Sequence, residues 1–240
     1  MFICASEDST SGYSTAGKER EHVRKLFQAD LINLGEQLIQ ITSLVHTAME
    51  KAYTAFDTTD LQLAEEVIAA DAQIDRLQVE LDEKAIELLA LQGPVASDLR
   101  MIVGALRMST SLERMGDLAR HIAQLARMRY PDRVAPDALH PVFEKMAKLT
   151  TQISSRLITL LETRELHLVA EIHALNEQLN DLHASVFTIV AAEDWQQSPA
   201  TSVDSSLVSR FFERYGDHAV AVANKVDYLV TGSWDSRELS

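Results

Sequence analysis

The pentapeptide Glu-Arg-x-Gly-Asp occurs twice in this chain, as Glu113-Arg114-Met115-Gly116-Asp117 and as Glu213-Arg214-Tyr215-Gly216-Asp217, 100 residues apart. Apolar, helix-compatible residues flank both copies, so the pattern reads as one unit duplicated. On a helix the Glu and Asp stand at i and i+4, which puts their carboxylates one turn apart on the same face. Carboxylates held that close repel unless a cation or an acid-base partner lies between them. Each copy also places a Gly inside a long helical stretch, at a cost of about 1 kcal/mol relative to Ala. Gly116 and Gly216 therefore suggest the close approach of a neighbouring backbone or ligand.

A repeat of this length divides the 240 residues into two units. The chain is 46% hydrophobic but only 6% aromatic, with 8 Gly and 5 Pro, which suits helical bundles better than sheets. Residues 1–18, rich in Ser, Thr and Gly, read as a disordered tail or a start-site artefact. Apolar positions from Val23 to Ala48 recur at threes and fours, predicting a first helix from Glu19 to Phe56. Thr59-Asp60-Leu61-Gln62 has capping-box spacing and opens a second helix that runs to about Leu91. Gly93-Pro94 ends it, and Ser97 is placed to cap a third helix reaching about Arg129. The linker from Tyr130 to Ala138, with Pro131 and Pro136, closes the first unit, residues 19–130. The second unit, residues 137–232, repeats the plan with helices over 137–162, 163–192 and 201–230. The predicted fold is all-α: two tandem three-helix bundles.

The formal net charge of -14 argues against nucleic acid as a partner and favours cations or basic protein surfaces. The single Cys4 is compatible with a reducing cytosol. No apolar run approaches the ~20 residues of a membrane span, and no signal peptide is recognisable, so a soluble chain without membrane insertion is expected.

Helix lengths sharpen the reading of the acids. About a turn centred near residue 95, Asp71 and Asp75 lie 24 and 20 residues before it, and Glu113 and Asp117 lie 18 and 22 after. At ~1.5 Å per residue these positions are level to within a turn. Four carboxylates at one height form a predicted metal site of Asp71, Asp75, Glu113 and Asp117, suited to magnesium, manganese or iron, with zinc if a histidine joins. His46, at a comparable height on the first helix, is an additional ligand on that count. In the second unit Glu213 and Asp217 face Asn176 and Asn180, neutral where the first unit has Asp71 and Asp75. That site should bind metal more weakly unless Glu177 and Asp181 swing in. The competing reading is a solvated acidic face with Arg114 and Arg214 pairing nearby carboxylates. Arg100, Arg107, Arg114 and Arg120 add basic content to the third helix, either as balance for the acids or as a docking stripe.

The run Leu88-Leu89-Ala90-Leu91-Gln92-Gly93-Pro94-Val95-Ala96-Ser97-Asp98-Leu99-Arg100, followed by Leu112-Glu113-Arg114-Met115-Gly116-Asp117, resembles the signature of the PhoU family. Phe211-Phe212-Glu213-Arg214-Tyr215-Gly216-Asp217-His218-Ala219-Val220 is similar to actinobacterial members, sometimes called PhoY. The resemblance covers about residues 20–232. It implies a cytoplasmic protein of two three-helix bundles whose acidic motifs bind iron, zinc or other metals. It further implies a negative regulator of phosphate uptake and of the phosphate-starvation response, acting on the phosphate-specific ABC transporter and a sensor histidine kinase. No catalytic residue is established for the family. His46 stands where many members have an acid, and with Asn176 and Asn180 it marks a departure from the family pattern.

Two other classes compete. A ferritin-like metal-binding protein or di-iron enzyme needs two Glu-x-x-His pairs facing each other in a four-helix core, and this sequence offers only Glu19-x-x-His22. A histidine phosphotransfer module needs an exposed helical His, for which His46 and His121 are the nominal candidates. Nucleophile motifs, a phosphate-cradling Gly loop and zinc-type Cys clusters are absent from the sequence. A non-enzymatic regulator is the expected function, and the number of subunits, a homodimer included, is left open.

Overall fold

The computed structural model describes the backbone of residues 11–233 and, apart from 11–20, 22, 23 and 92, their side chains. Six helices follow one another: α1 Ser11–Thr58, α2 Leu61–Gln92, α3 Ala96–Arg129, α4 His140–Thr163, α5 His167–Val190 and α6 Pro199–Thr231. Among the described residues there is no strand. The tail expected over residues 1–18 is helical from Ser11 onward, and residues 1–10 lie outside the described residues.

Local chemistry sets most boundaries, with two corrections. The N-cap of α2 is Asp60, whose carboxylate accepts from the Leu63 N–H at 3.0 Å, and not Thr59, which takes a left-handed φ of 57° just before it. Gly93 closes α2 at φ 53°, where a residue without Cβ avoids the left-handed penalty. Ser97 does not cap α3: the cap position is Val95, without a side-chain bond, and Ser97 already lies in the first helical turn. Ser198 caps α6 by accepting from the Thr201 N–H at 3.0 Å, with Pro199 in the first turn where no amide hydrogen is needed.

α1, α2 and α3 form one bundle and α4, α5 and α6 the other, and the two join along the contacts of α3 with α6 and of α1 with α4. α2 and α5 therefore flank a central layer of four helices. The buried apolar side chains form a single cluster that runs through both bundles. Leu38, Ile41 and Met49 of α1 belong to it with Met108 and Met115 of α3, Phe143 and Ile153 of α4, and Phe212 and Tyr215 of α6. Each large apolar side chain so buried contributes about 1.5–3 kcal/mol before conformational entropy is subtracted. Aromatic edges cross between the bundles, Phe56 against Phe143 at 5.6 Å and Tyr53 against Phe212 at 6.3 Å. Arg129, in the last turn of α3, binds the buried Asp204 of α6 through two hydrogen bonds of 2.6 and 3.1 Å. The duplicated units thus share one core.

Candidate functional site

The first acidic motif faces α2 because Gly116 lets that helix come close. A Cβ on Gly116 would stand 3.0 Å from Ile74 Cδ1 and 3.5 Å from Asp71 Oδ1. Asp71, only 8% exposed, is pressed there against α3. Arg120, one turn beyond Asp117, reaches back between the helices. Its Nε lies 2.5 Å from Asp71 Oδ2, a contact of charge without an aligned hydrogen bond, and its Nη2 donates a short hydrogen bond to Asp117 Oδ1. Arg114 Nη1 takes the other Asp117 oxygen, Oδ2, at 2.9 Å, and its Nε lies 3.5 Å from Glu113.

Asp75 is exposed, yet its charge acts on both Asp71 and Glu113, so all four acids form one electrostatic cluster. Four negative charges with two guanidinium groups leave about -2 there, half of what the acids alone would carry. Burial pushes the Asp71 carboxyl up, and Asp75 and Asp117 add to that while Arg120 opposes it. Glu113 is raised by burial and by the Asp117 charge. Asp117 is lowered: burial acts against its charge, but the hydrogen bond and charge of Arg120, with Arg114, outweigh it.

The second motif keeps the geometry and changes the partner. Asn176 is buried at 8% exposure, and its Nδ2 donates to Asp217 Oδ1 at 3.2 Å. Arg214 donates to Asp217 Oδ2 at 3.2 Å, and Arg210 pairs with Glu213 Oε2 at 2.8 Å. Glu213 is raised by burial and by Asp217. Glu177, Asn180 and Asp181 are exposed, and Asp181 lines a groove with Lys145 and Lys148 of α4. They do not supply the missing charge, because of these four α5 residues only Asn176 turns toward Asp217 on α6.

The two motifs lie side by side along the contact of α3 with α6. His121 packs on Phe211 across it at 5.3 Å, and Arg114 of α3 acts on His218 of α6. Burial, then neighbouring arginine charge, lowers both histidines below their ordinary range. His46 is not part of this cluster. Its Nδ1 lies 2.8 Å from Ser154 Oγ on α4 and its Nε2 3.6 Å from Glu50, so on α1 it faces α4 and not the acids of α2 and α3.

Arginines dominate the result, Arg120 in the role of balance for the acids that the sequence offered for it and Arg210 without having been singled out. Arg120 and Arg210 each sit three positions from an acid they bind, a signal present in the sequence. The contact of Asn176 with Gly216 carries no local signal. Among the described residues, no three His, Cys, Asp or Glu side chains are grouped to hold a metal ion. The Arg120 guanidinium stands where a cation shared by Asp71 and Asp117 would have to stand, so in this arrangement the residues do not fit a resident metal. Neither phosphotransfer candidate is free: His46 is hydrogen-bonded and His121 packs on an aromatic ring. The side chains of Glu19 and His22 lie outside the described residues.

These features define an all-α, internally duplicated protein with an ion-paired seam between its halves. The PhoU domain model matches it twice, over residues 38–126 and 143–226, and the chain belongs to the PhoU family. It is 36% identical over 212 residues to the phosphate-specific transport system accessory protein PhoU homolog 2 of Mycobacterium tuberculosis, covering 88% of this chain and 100% of that one. It is 35% identical to PhoU homolog 1 of Mycobacterium leprae, over 88% of this chain and 96% of that one. The crystal structure of the phosphate transport system regulatory protein PhoU from Streptococcus pneumoniae superposes with a TM-score of 0.78 at 25% identity, over 88% of this chain and 99% of that one.

Proposed function

We propose that this protein restrains phosphate uptake and the phosphate-starvation two-component response by binding the phosphate-specific ABC transporter and a sensor histidine kinase in the cytoplasm. The observation that carries this reading is the double match to the PhoU domain, together with 36% identity to a transport-system accessory protein along its full length. A net charge of -14 suits basic partner surfaces and rapid electrostatic encounter. Among the described residues no helix is long and apolar enough to cross a membrane, in keeping with docking rather than insertion.

A non-enzymatic role is part of this reading. Ser154, His46 and Glu50 line up as hydroxyl, imidazole and carboxylate, but Ser154 is fully buried and its hydroxyl is spent on the Thr150 carbonyl at 2.9 Å. A buried hydroxyl inside a helix has no route to a substrate.

The test is deletion of the gene in its host with a phosphatase reporter read in ample phosphate, paired with affinity purification of the tagged protein. The expected result is reporter expression in ample phosphate and co-purification of the transporter ATPase and the kinase. A silent reporter with neither partner recovered refutes the proposal.

A further inference from the structure

Each Asp of the duplicated motif has both carboxylate oxygens taken by the protein itself. Asp117 Oδ2 accepts from Arg114 and Oδ1 from Arg120; Asp217 Oδ2 accepts from Arg214 and Oδ1 from the Asn176 amide. The motif arginine fills the same role in both halves, and the second donor alone differs. In the first half Arg120 also touches Asp71 Oδ2, while Asp71 Oδ1 packs beside Gly116. Of the four oxygens on the two central carboxylates, three face a guanidinium and the fourth packs against α3.

We propose that this chain fills both acid sites with its own donors, the Arg120 guanidinium in the first half and the Asn176 amide in the second, in place of a metal ion. The proposal concerns the charge chemistry of the seam and does not depend on which partners the protein binds. Three physical points support it. Guanidinium stays charged at every working pH and its planar fork matches two carboxylates at once. Arg120 is tethered one turn from Asp117, so it competes with a dissolved cation at high effective concentration. A metal would have to expel a partly buried cation and take its place, leaving that charge to be resolvated elsewhere.

The second half carries the same logic by subtraction. Where the first half has Asp71, the second has Asn176, which supplies a neutral donor and removes one negative charge. Glu213 and Asp217 are then matched by Arg210 and Arg214, two acids against two bases, with no net charge left to attract a cation.

The experiment compares wild type, Arg120→Gln, Asp71→Asn with Arg120→Gln, and Asn176→Asp, each purified without chelator. Elemental analysis covers iron, zinc and manganese, and Mn(II) uptake is followed by titration together with the melting temperature. Wild type is expected to carry less than about a tenth of an atom per chain and to melt at the same temperature with or without Mn(II). Arg120→Gln frees Asp71 and Asp117 and is expected to bind Mn(II) at least tenfold more tightly than wild type, with a melting temperature that rises on addition. The double variant is expected to lose that gain, which separates the site from general attraction to an acidic surface. Asn176→Asp is expected to gain uptake in the second half. If Arg120→Gln does not fold, Arg120→Met keeps the apolar stem without the charge and is expected to gain uptake over wild type. Stoichiometric metal in wild type that is lost in Asp117→Asn overturns the proposal. So does an Arg120 variant that takes up no more Mn(II) than wild type, or a failure of Asn176→Asp to gain uptake.

Discussion

The amide oxygen of Asn176 lies directly over Gly216, well inside the distance at which any Cβ there could stand, and Leu179 Cδ2 lies 2.8 Å from the same point. The equivalent position in the first half is looser, with Ile74 Cδ1 at 3.0 Å from a Cβ on Gly116. The two motif glycines therefore answer differently to one added methyl group. Gly216→Ala must move a buried amide that is hydrogen-bonded to Asp217, and is expected to destabilise by about 1–3 kcal/mol. Gly116→Ala asks the buried Ile74 to give by a few tenths of an ångström at both Cδ1 and Cγ2, the latter 3.3 Å away, while helix propensity gains up to about 1 kcal/mol, so it should cost clearly less than Gly216→Ala. Urea unfolding of the two variants checks this, and equal midpoints would show that the halves are not packed as described.

Tyr215 is fully buried, and its hydroxyl, near Ser154, finds no aligned hydrogen-bond partner among the described protein atoms. Burial pushes its pKa far up, partly offset by Ser154, so it remains a neutral phenol. Tyr215→Phe removes an unsatisfied polar atom and keeps the ring, and is expected to stabilise by about 1 kcal/mol. Tyr215→Ala is expected to cost about 3–5 kcal/mol through the cavity it leaves. A destabilised Tyr215→Phe in the same urea series would mean that the hydroxyl is hydrogen-bonded after all.

Glu213 is raised first by burial and then by the Asp217 charge, against Arg210 and Arg214. A carboxyl raised in the folded state binds its proton better folded than unfolded. Its contribution to stability is complete below about 4.3, the unfolded value, and is lost as pH climbs through the raised value. Glu213→Gln keeps the shape without the charge. It is expected to be more stable than wild type at pH 7, with the difference closing as pH falls toward about 4.3. Paired denaturation curves at pH 7, 5.5 and 4.5 measure the gap, and a gap that widens toward acid contradicts the assignment.

Arg129 is the partner that lets Asp204 be buried at the junction of α3 and α6. Arg129→Met leaves that carboxylate without its cation. Adding Asp204→Leu removes the stranded charge, so the double variant is expected to unfold at a higher urea concentration than the single one. If the double variant is the less stable, the ion pair does not carry the burial of Asp204.

Helix order, the duplication and the levelling of Asp71 and Asp75 with Glu113 and Asp117 were all present in the sequence. They follow from local rules: an apolar period near 3.6, a rise of about 1.5 Å per residue, and Gly or Pro at the breaks. Even the pairing of Arg120 with Asp117 was within reach, because residues three apart share a helix face. Tertiary structure alone decided which way each face turned. His46 faces Ser154 of α4, and Asn176 settles over Gly216 while Glu177 and Asp181 turn to solvent. It also joined the two bundles through one continuous core at Phe56, Phe143, Tyr53 and Phe212. Spacing measures distance along an axis, whereas rotation about that axis depends on the packing of neighbours far away in the chain.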